Sequence, residues 1–545
     1  MRRSSRRLFL KQTLALGGAC LPFSGWAAAS ESKEGESAIV PIKDAMRRVS
    51  KCCLAWLDPT DNYRPTGGYE TAHDTGRWWD AMLRYEAATG DHIPGDIEKA
   101  MLENLRAMTD NPAALLMNVF GPPESQVINL HNIRETMLTY SSLVKYRKND
   151  WARSQGKKLV EAIDGLLNPD GQLDYPRLKL LMGGKAINPD PMMCPYSVPG
   201  EWFDSTGTTG RAIEAMLCFA EATGDDDAMK LAKRLAETHL RMMVDPSGKV
   251  CPKLLDSNHV GHNHSYCGTL RGLLLYGLVA NDKQYVDAVA KTYRDGLWGT
   301  TISYSGWTPH DLGKARFPNE DGDPVGEHGS CADVLILALW LGLRAGQTDL
   351  LDDAERLIRA RLLPSQMKDP NNPRNDGAWG VYGNPFGYGS TLDVFAAVLH
   401  ALVDVDGRTV SQLPDGTCLV NFHFTCDTSS ASVVATREEA ATVVVTPKCN
   451  APLWVRVPHW APRDSVQLAA ENKTLTPRWY GAYLALDAAD VPSGHAVILR
   501  YGLPEKETTE KMPVSKRIFR LSWRGDEVIA CDPAMPIYSK QVSRS

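Results

Sequence analysis

The sequence carries 12 cysteines but no CxxC pair, and Cys52-Cys53 is the sole adjacent couple. Paired-cysteine zinc ribbons and dithiol redox motifs are therefore excluded. The 11 cysteines after Cys20 are scattered. Most read as small buried apolar residues, although an oxidising compartment would permit disulfides. Excess positive charge is also missing. Lys plus Arg number 60 against 65 Asp plus Glu, for a net charge of −5, and no dense basic face stands out. Nucleic acid is excluded as a partner on that ground. Past the N-terminal leader no apolar run is long enough to span a membrane. There is no phosphate-binding Gly loop, dinucleotide fingerprint, Ser nucleophile elbow or HExxH. A redox-cofactor enzyme is not expected, and no cofactor is predicted, with a metal left open.

What is present begins with an export signal. Ser5-Arg6-Arg7-Leu8-Phe9-Leu10-Lys11 has the twin-arginine pattern, followed by a moderately apolar stretch and Ala27-Ala28-Ala29. Residues 1–29 are expected to be removed. The twin-arginine export machinery becomes a partner, and the periplasm or the exterior the destination.

Six times a loop rich in His, aromatic and Gly residues then runs into a long apolar helix. These points are His73-Asp74-Thr75-Gly76, His131-Asn132, Thr208-Thr209-Gly210, Tyr266-Cys267-Gly268, Gly329-Ser330-Cys331 and Gly389-Ser390-Thr391. Helices apolar on every face, such as Ala332 to Leu341 and Leu270 to Ala280, are buried on every face. Tight turns such as Thr89-Gly90-Asp91 and Thr223-Gly224-Asp225 follow them, and amphipathic helices such as Asp226 to Met242 come next. Six hairpins of this length close into an (α/α)6 toroid, predicted over residues 30–406, with the loops before the inner helices gathered at one mouth. From 407 to 545 the pattern changes to short β-branched runs bounded by Gly, Pro and Asp, including Thr417–Phe424, Ser432–Thr436, Thr442–Thr446 and Leu453–Val457. These predict an antiparallel β-sandwich. Ile518 to Asp532 should add two strands packing back on the toroid.

The mouth loops hold the candidate chemistry. Glycosidic bond hydrolysis needs a proton donor and a carboxylate base or nucleophile. Glu327, at the start of an inner helix, is the first choice for the ionised carboxylate, because a helix N-terminus favours that form; the ordinary alternative is a capping or loop-bracing acid. Asp311 is the candidate partner, against a solvated turn residue. Glu201 and Asp204 are further candidates. His259, His262 and His264 precede the fourth inner helix, where they can bind a metal, titrate as acid or base, or contact sugar hydroxyls. His264 is the catalytic candidate among them. His73, Asp74, His131, Asn132 and His328 occupy equivalent places on other hairpins. Tyr69, Trp78, Trp79, Trp202, Tyr266, Trp307 and Tyr388 offer aromatic faces for sugar rings. Arg134 and Arg211 suit a carboxylated sugar, or simple ion pairs with Glu135 or Glu214.

Two stretches resemble a known family. Leu453-Trp454-Val455-Arg456-Val457-Pro458-His459-Trp460-Ala461, Gly481-Ala482-Tyr483-Leu484 and Leu503-Pro504 are similar to the sandwich of glycoside hydrolase family 127, the β-L-arabinofuranosidase group. Trp307-Thr308-Pro309-His310 leading to Glu327-His328-Gly329-Ser330-Cys331-Ala332 resembles that family's segment before its fifth inner helix. The resemblance implies a toroid with a sandwich. It also implies a zinc held by one Glu and three Cys, one Cys being the nucleophile. Cys331 stands for the first of these, but Glu327 lies four residues before it rather than two. The adjacent Cys pair is replaced by Gly387-Tyr388-Gly389-Ser390-Thr391, which cannot supply thiolates. The expectation is an exported hydrolase of plant, algal or bacterial oligo- or polysaccharides, carboxylate-based rather than zinc–cysteine-based. The alternatives are a polysaccharide lyase acting through His264, Tyr266 and His131, and a non-catalytic glycan-binding protein.

Overall fold

The structure is a computed structural model describing residues 41–538 apart from 123–125, 188–206, 257–260, 316, 383–388, 471–472, 477 and 536. Six helices form its inner ring: Thr71–Thr89, Asn132–Arg147, Thr209–Thr223, Asn263–Val279, His328–Arg344 and Leu392–Thr409. Each packs on the next, and the sixth packs on the first, closing the toroid. Outer helices Gly95–Met108, Asp150–Leu166, Asp226–Met243, Lys283–Thr292 and Leu350–Leu357 pair with the first five. The Ile42–Ala55 helix, first in the chain among the described residues, covers the sixth.

The sequence dictates this layering. In the fifth inner helix every residue from His328 to Gly342 is buried, as its all-round apolar pattern requires. The outer Asp226–Met243 helix instead buries Ala228, Leu231, Ala232, Leu235, Ala236 and Met243, the stripe of a one-sided helix. The turns between the two layers are tight because one residue stops a helix and the next caps another. Gly224 ends the third inner helix at φ 72°, and the Asp225 side chain accepts the Asp227 and Ala228 amides of the following helix. Lys148 and Asn149 perform the same two tasks after the second inner helix.

The last inner helix reaches Thr409, past the expected boundary at 406, and the strands of the sandwich begin at Val410. A five-stranded sheet runs Trp479–Tyr480, Tyr483–Leu486, Leu453–Arg456, Cys418–Val420, Val410–Gln412. It faces a six-stranded sheet built around Val497–Gly502, Ala440–Pro447 and Ala431–Arg437. Pairing is antiparallel except between Leu453–Arg456 and Cys418–Val420. Alternate residues of Ala440–Pro447 enter the shared apolar core. A separate sheet of Glu505–Lys511, Ile518–Arg524 and Glu527–Asp532 presses Phe519, Leu521 and Trp523 onto Trp307 and Ala360 of the toroid. Two of these strands were expected. The third, Glu505–Lys511, has no apolar face to announce it. No described helix is long and apolar enough to cross a membrane. The ten described cysteines are all free.

Candidate active site

The first turns of the inner helices converge, as contacts from helix to helix show. His73 Nδ1 lies 3.1 Å from Asn132 Oδ1, linking the first two. Arg211 donates to His131 Nδ1 at 2.5 Å, linking the third to the second. His264 Nδ1 donates to Asp333 Oδ2 at 2.5 Å, linking the fourth to the fifth. The residues that precede these helices are Glu70, His131, Thr208, His262, Glu327 and Thr391, and none caps its own helix with its side chain. Glu327 therefore does not cap the helix backbone, although its Oε2 accepts from Ser330 Oγ of the first turn at 3.1 Å.

Below the mouth lies a belt of buried charge. Glu135 meets Arg77 at 2.8 Å, Arg134 at 3.0 Å and Arg211 at 2.9 Å. Arg271 joins Glu214 at 2.5 Å to Asp333 at 2.6 Å. Burial opposes ionisation of Glu135, but the three guanidiniums hold its carboxyl well below the carboxylate range. Arg134 and Arg211 are thus engaged in the belt rather than presented to a sugar acid. His264 is fixed from both sides, with Nδ1 on Asp333 and Nε2 accepting from Arg77 at 2.6 Å. Burial, reinforced by Arg211, keeps it neutral. Its ring is a brace between the belt and the mouth, and the acid–base role expected of it has no lone pair or proton to spare.

Above the belt stands a corner of three side chains from three segments. The His262 and His310 rings lie 4.7 Å apart, and His262 Nε2 is 3.4 Å from Glu327 Oε2. All three are buried, at 7%, 4% and 3% exposure. Their backbones are knitted together. His262 bridges Asp311, Pro309 bridges Gly326, and the Glu327 amide donates to Thr308 at 2.9 Å. Burial disfavours a charged Glu327, yet the contact with His262 holds the carboxyl well below its usual range. Asp311 does not stand opposite Glu327 as a second acid. It accepts from His310 Nδ1 at 2.6 Å and orients that ring.

A different pair of carboxyls has the character of an acid. Asp74, in the first turn of the first inner helix, is held well above the usual range by burial, then by the charges of Asp393 and Glu70. Asp393, in the first turn of the sixth, is raised by burial, opposed by Arg77. Each has a buried oxygen, Oδ1, without a hydrogen-bond partner, as do His131 Nε2 and His262 Nε2. A buried polar atom left in this way calls for an explanation, such as a bound water or ion or a catalytic role. Asp393 escaped sequence reasoning because an acid in the first helical turn is ordinary helix chemistry.

Several expected contacts belong elsewhere. The Tyr266 ring is fully buried with its hydroxyl beside the Cys251 backbone. Trp307 is spent on the seam with Trp523 and Phe519. Trp78 and Trp79 pack edge to face in the core. Asn132 uses its amide internally, donating to Glu70 and the Leu116 carbonyl. His328 donates Nδ1 to the Gly380 carbonyl at 2.8 Å. His73 and His131 do reach the mouth, and Tyr69 stacks edge-on against His73 at 5.1 Å. Glu201, Trp202, Asp204, His259 and Tyr388 lie outside the described residues. The zinc–cysteine centre implied by the family resemblance does not fit. Cys331 is buried, its thiol pushed up to about 12 by burial, and it is not among the converging side chains.

No family model and no curated protein matches the sequence. Solved structures do match the fold. A GH127 β-arabinofuranosidase superposes over 90% of this chain and 81% of its own, with a TM-score of 0.57 at 13% identity. A GH127 β-L-arabinofuranosidase from Geobacillus stearothermophilus T6 superposes over 89% and 80%, with a TM-score of 0.53 at 11% identity. A third, titled simply a glycoside hydrolase, reaches 0.56 at 10% identity. The chain therefore has the toroid-plus-sandwich fold of these proteins.

Proposed function

We propose that this protein is an exported glycoside hydrolase whose active site is the mouth where the six inner helices begin. The observation that carries the reading is the coexistence there of two kinds of carboxyl. Burial pushes the Asp74 carboxyl up toward its protonated form, with Asp393 raised beside it, whereas the His262 contact holds Glu327 down toward its ionised form. Environments that push carboxyl groups in opposite directions assign the acid and the base. In this reading Asp74 or Asp393 protonates the departing sugar oxygen. Glu327, in its corner with His262 and His310, faces the anomeric centre and takes up the proton of the incoming water. His131, His73 and Tyr69 supply ring faces and polar edges for sugar hydroxyls. The fold shared with β-arabinofuranosidases supports a glycan as substrate, and the twin-arginine pattern of Arg6-Arg7 supports export. The lyase alternative is weakened because Tyr266, its intended phenol, is buried away from the mouth.

The test is incubation of the purified protein with plant, algal and bacterial glycans, with products read by mass spectrometry. Products heavier by one water, lost in Glu327→Gln and in Asp74→Asn, are expected. Unsaturated products would reject hydrolysis in favour of elimination.

A further inference from the structure

We infer that His262, His310 and Glu327 form a binding site for a divalent transition-metal ion of the zinc class. This deepens the proposed hydrolase reading by identifying what the corner facing the substrate holds.

Among the described residues these three alone bring ligand-type atoms together, all within 4.8 Å of one another. The 3.4 Å between His262 Nε2 and Glu327 Oε2 is informative. Bonds of about 2.0–2.1 Å at tetrahedral angles place neighbouring donors roughly 3.4 Å apart. The proton positions point the same way. Asp311 accepts from His310 Nδ1 at 2.6 Å, and Ser265 Oγ lies 2.9 Å from His262 Nδ1. The Asp311 carboxylate fixes the His310 proton on Nδ1, and Ser265 Oγ, which can accept or donate, is compatible with the same tautomer in His262. A carboxylate behind a histidine, fixing tautomer and orientation, is the usual support of a metal-ligating imidazole. In this buried place His262 Nε2 lies 3.4 Å from Glu327 Oε2 without forming a hydrogen bond. Like polarities facing one another in low dielectric repel unless a cation lies between them. An ordinary His–Glu ion pair would need one imidazole, not two.

The ligand types suit the ion. Imidazole and carboxylate select zinc and its neighbours, and three protein ligands leave a position open for water or substrate. A cation in such a site acidifies water and polarises oxygen. The two histidines come from separate loops that the toroid brings together, at positions 262 and 310.

The protein as purified without chelator is expected to contain about one equivalent of zinc or a similar metal per chain by mass spectrometry, or to take up zinc chloride after stripping, with a rise in Tm. X-ray absorption at the zinc edge should show two imidazoles with oxygen and no sulfur. Cobalt(II) in its place should give the intense visible bands of a four-coordinate site. His262→Ala should abolish uptake, and Asp311→Asn should weaken it about 10–100-fold, with far-ultraviolet circular dichroism unchanged. No uptake by the wild-type chain, a sulfur shell, or undiminished uptake in both variants would overturn the inference. Should the variants not fold, the absorption spectrum of the wild-type protein still decides. Metal bound by these ligands with no glycan cleaved would refute the hydrolase and leave the metal site standing. Hydrolysis by a wild-type chain that takes up no metal would do the reverse.

Discussion

Burial, helped by the charges of Asp393 and Glu70, holds the Asp74 carboxyl above its ordinary range, and this has a consequence for stability as well as catalysis. Between the unfolded value and the raised folded one, the native protein keeps a proton that the unfolded chain has released. Stability therefore falls as pH rises through that window. Asp74→Asn removes the penalty. The variant is expected to raise Tm at neutral pH and to flatten the decline, while lowering kcat about 10²–10⁴-fold, the contribution of a general acid. Thermal melts across pH together with turnover measurements check both halves, and a lowered Tm at neutral pH would reject the assignment. At this scale the sequence announces position better than role. His73, His131 and His262 stand before or in the first turns of inner helices and could be read off as mouth residues. His264 and Tyr266 occupy the same kind of place, but one helical turn points in every direction. One ring is locked between Asp333 and Arg77, and the other faces outward to Cys251. Only the closed ring of helices decides which side of each turn faces inward.

Inner helices meet closely where one of them has no side chain. A Cβ at Gly272, in the fourth, would stand 2.8 Å from Ile213 Cβ and 3.2 Å from the Glu214 amide nitrogen of the third. Both are rigid, so Gly272→Ala must push the helices apart. The expected cost is about 1–3 kcal/mol, outweighing the roughly 1 kcal/mol that alanine gains in a helix. Gly407, in the exposed last turn of the sixth, has nothing within 4 Å. Gly407→Ala should therefore stabilise by about 0.5–1 kcal/mol. Urea unfolding of the two variants is expected to give opposite signs, and equal signs would show that the inner ring is not close-packed at Gly272. The elements themselves were legible where pattern and burial coincide. Ala440–Pro447 alternates and is a half-buried strand, and His328–Arg344 is apolar throughout and is an inner helix. Glu505–Lys511 was not legible, because an edge strand of Glu, Lys and Thr is held by its neighbour's backbone rather than by a face of its own.

The toroid and the sandwich are joined through buried charge. Arg456, on a sandwich strand, reaches Asp352 and Glu355 of the outer Leu350–Leu357 helix. Arg359 pairs with the same Glu355 at 2.8 Å and approaches Asp526 of the C-terminal sheet at 3.8 Å, while Arg437 meets Asp526 at 2.6 Å. The Leu453–Val457 run reads as a strand, but nothing in it marks Arg456 as buried. Its burial depends on a helix a hundred residues earlier, which no local pattern records. Arg456→Met would leave Asp352 and Glu355 facing each other with one cation removed, at a cost of about 3–5 kcal/mol. The acid response follows from the same group. Burial opposes a charged Glu355, but Arg359 and Arg456 hold its carboxyl well below the usual range. A depressed carboxylate stabilises the fold above its unfolded value, about 4.3, and that contribution drains away as pH falls from there toward the folded value. Acid should therefore loosen the junction before the sandwich core, which rests on valine and leucine. Hydrogen exchange followed from pH 6 down to about pH 3 is expected to show amides around Asp352 and His459 opening ahead of those in Ala440–Pro447. In Arg456→Met the same opening should already be present at neutral pH, and simultaneous loss of both regions would show that the two units unfold as one.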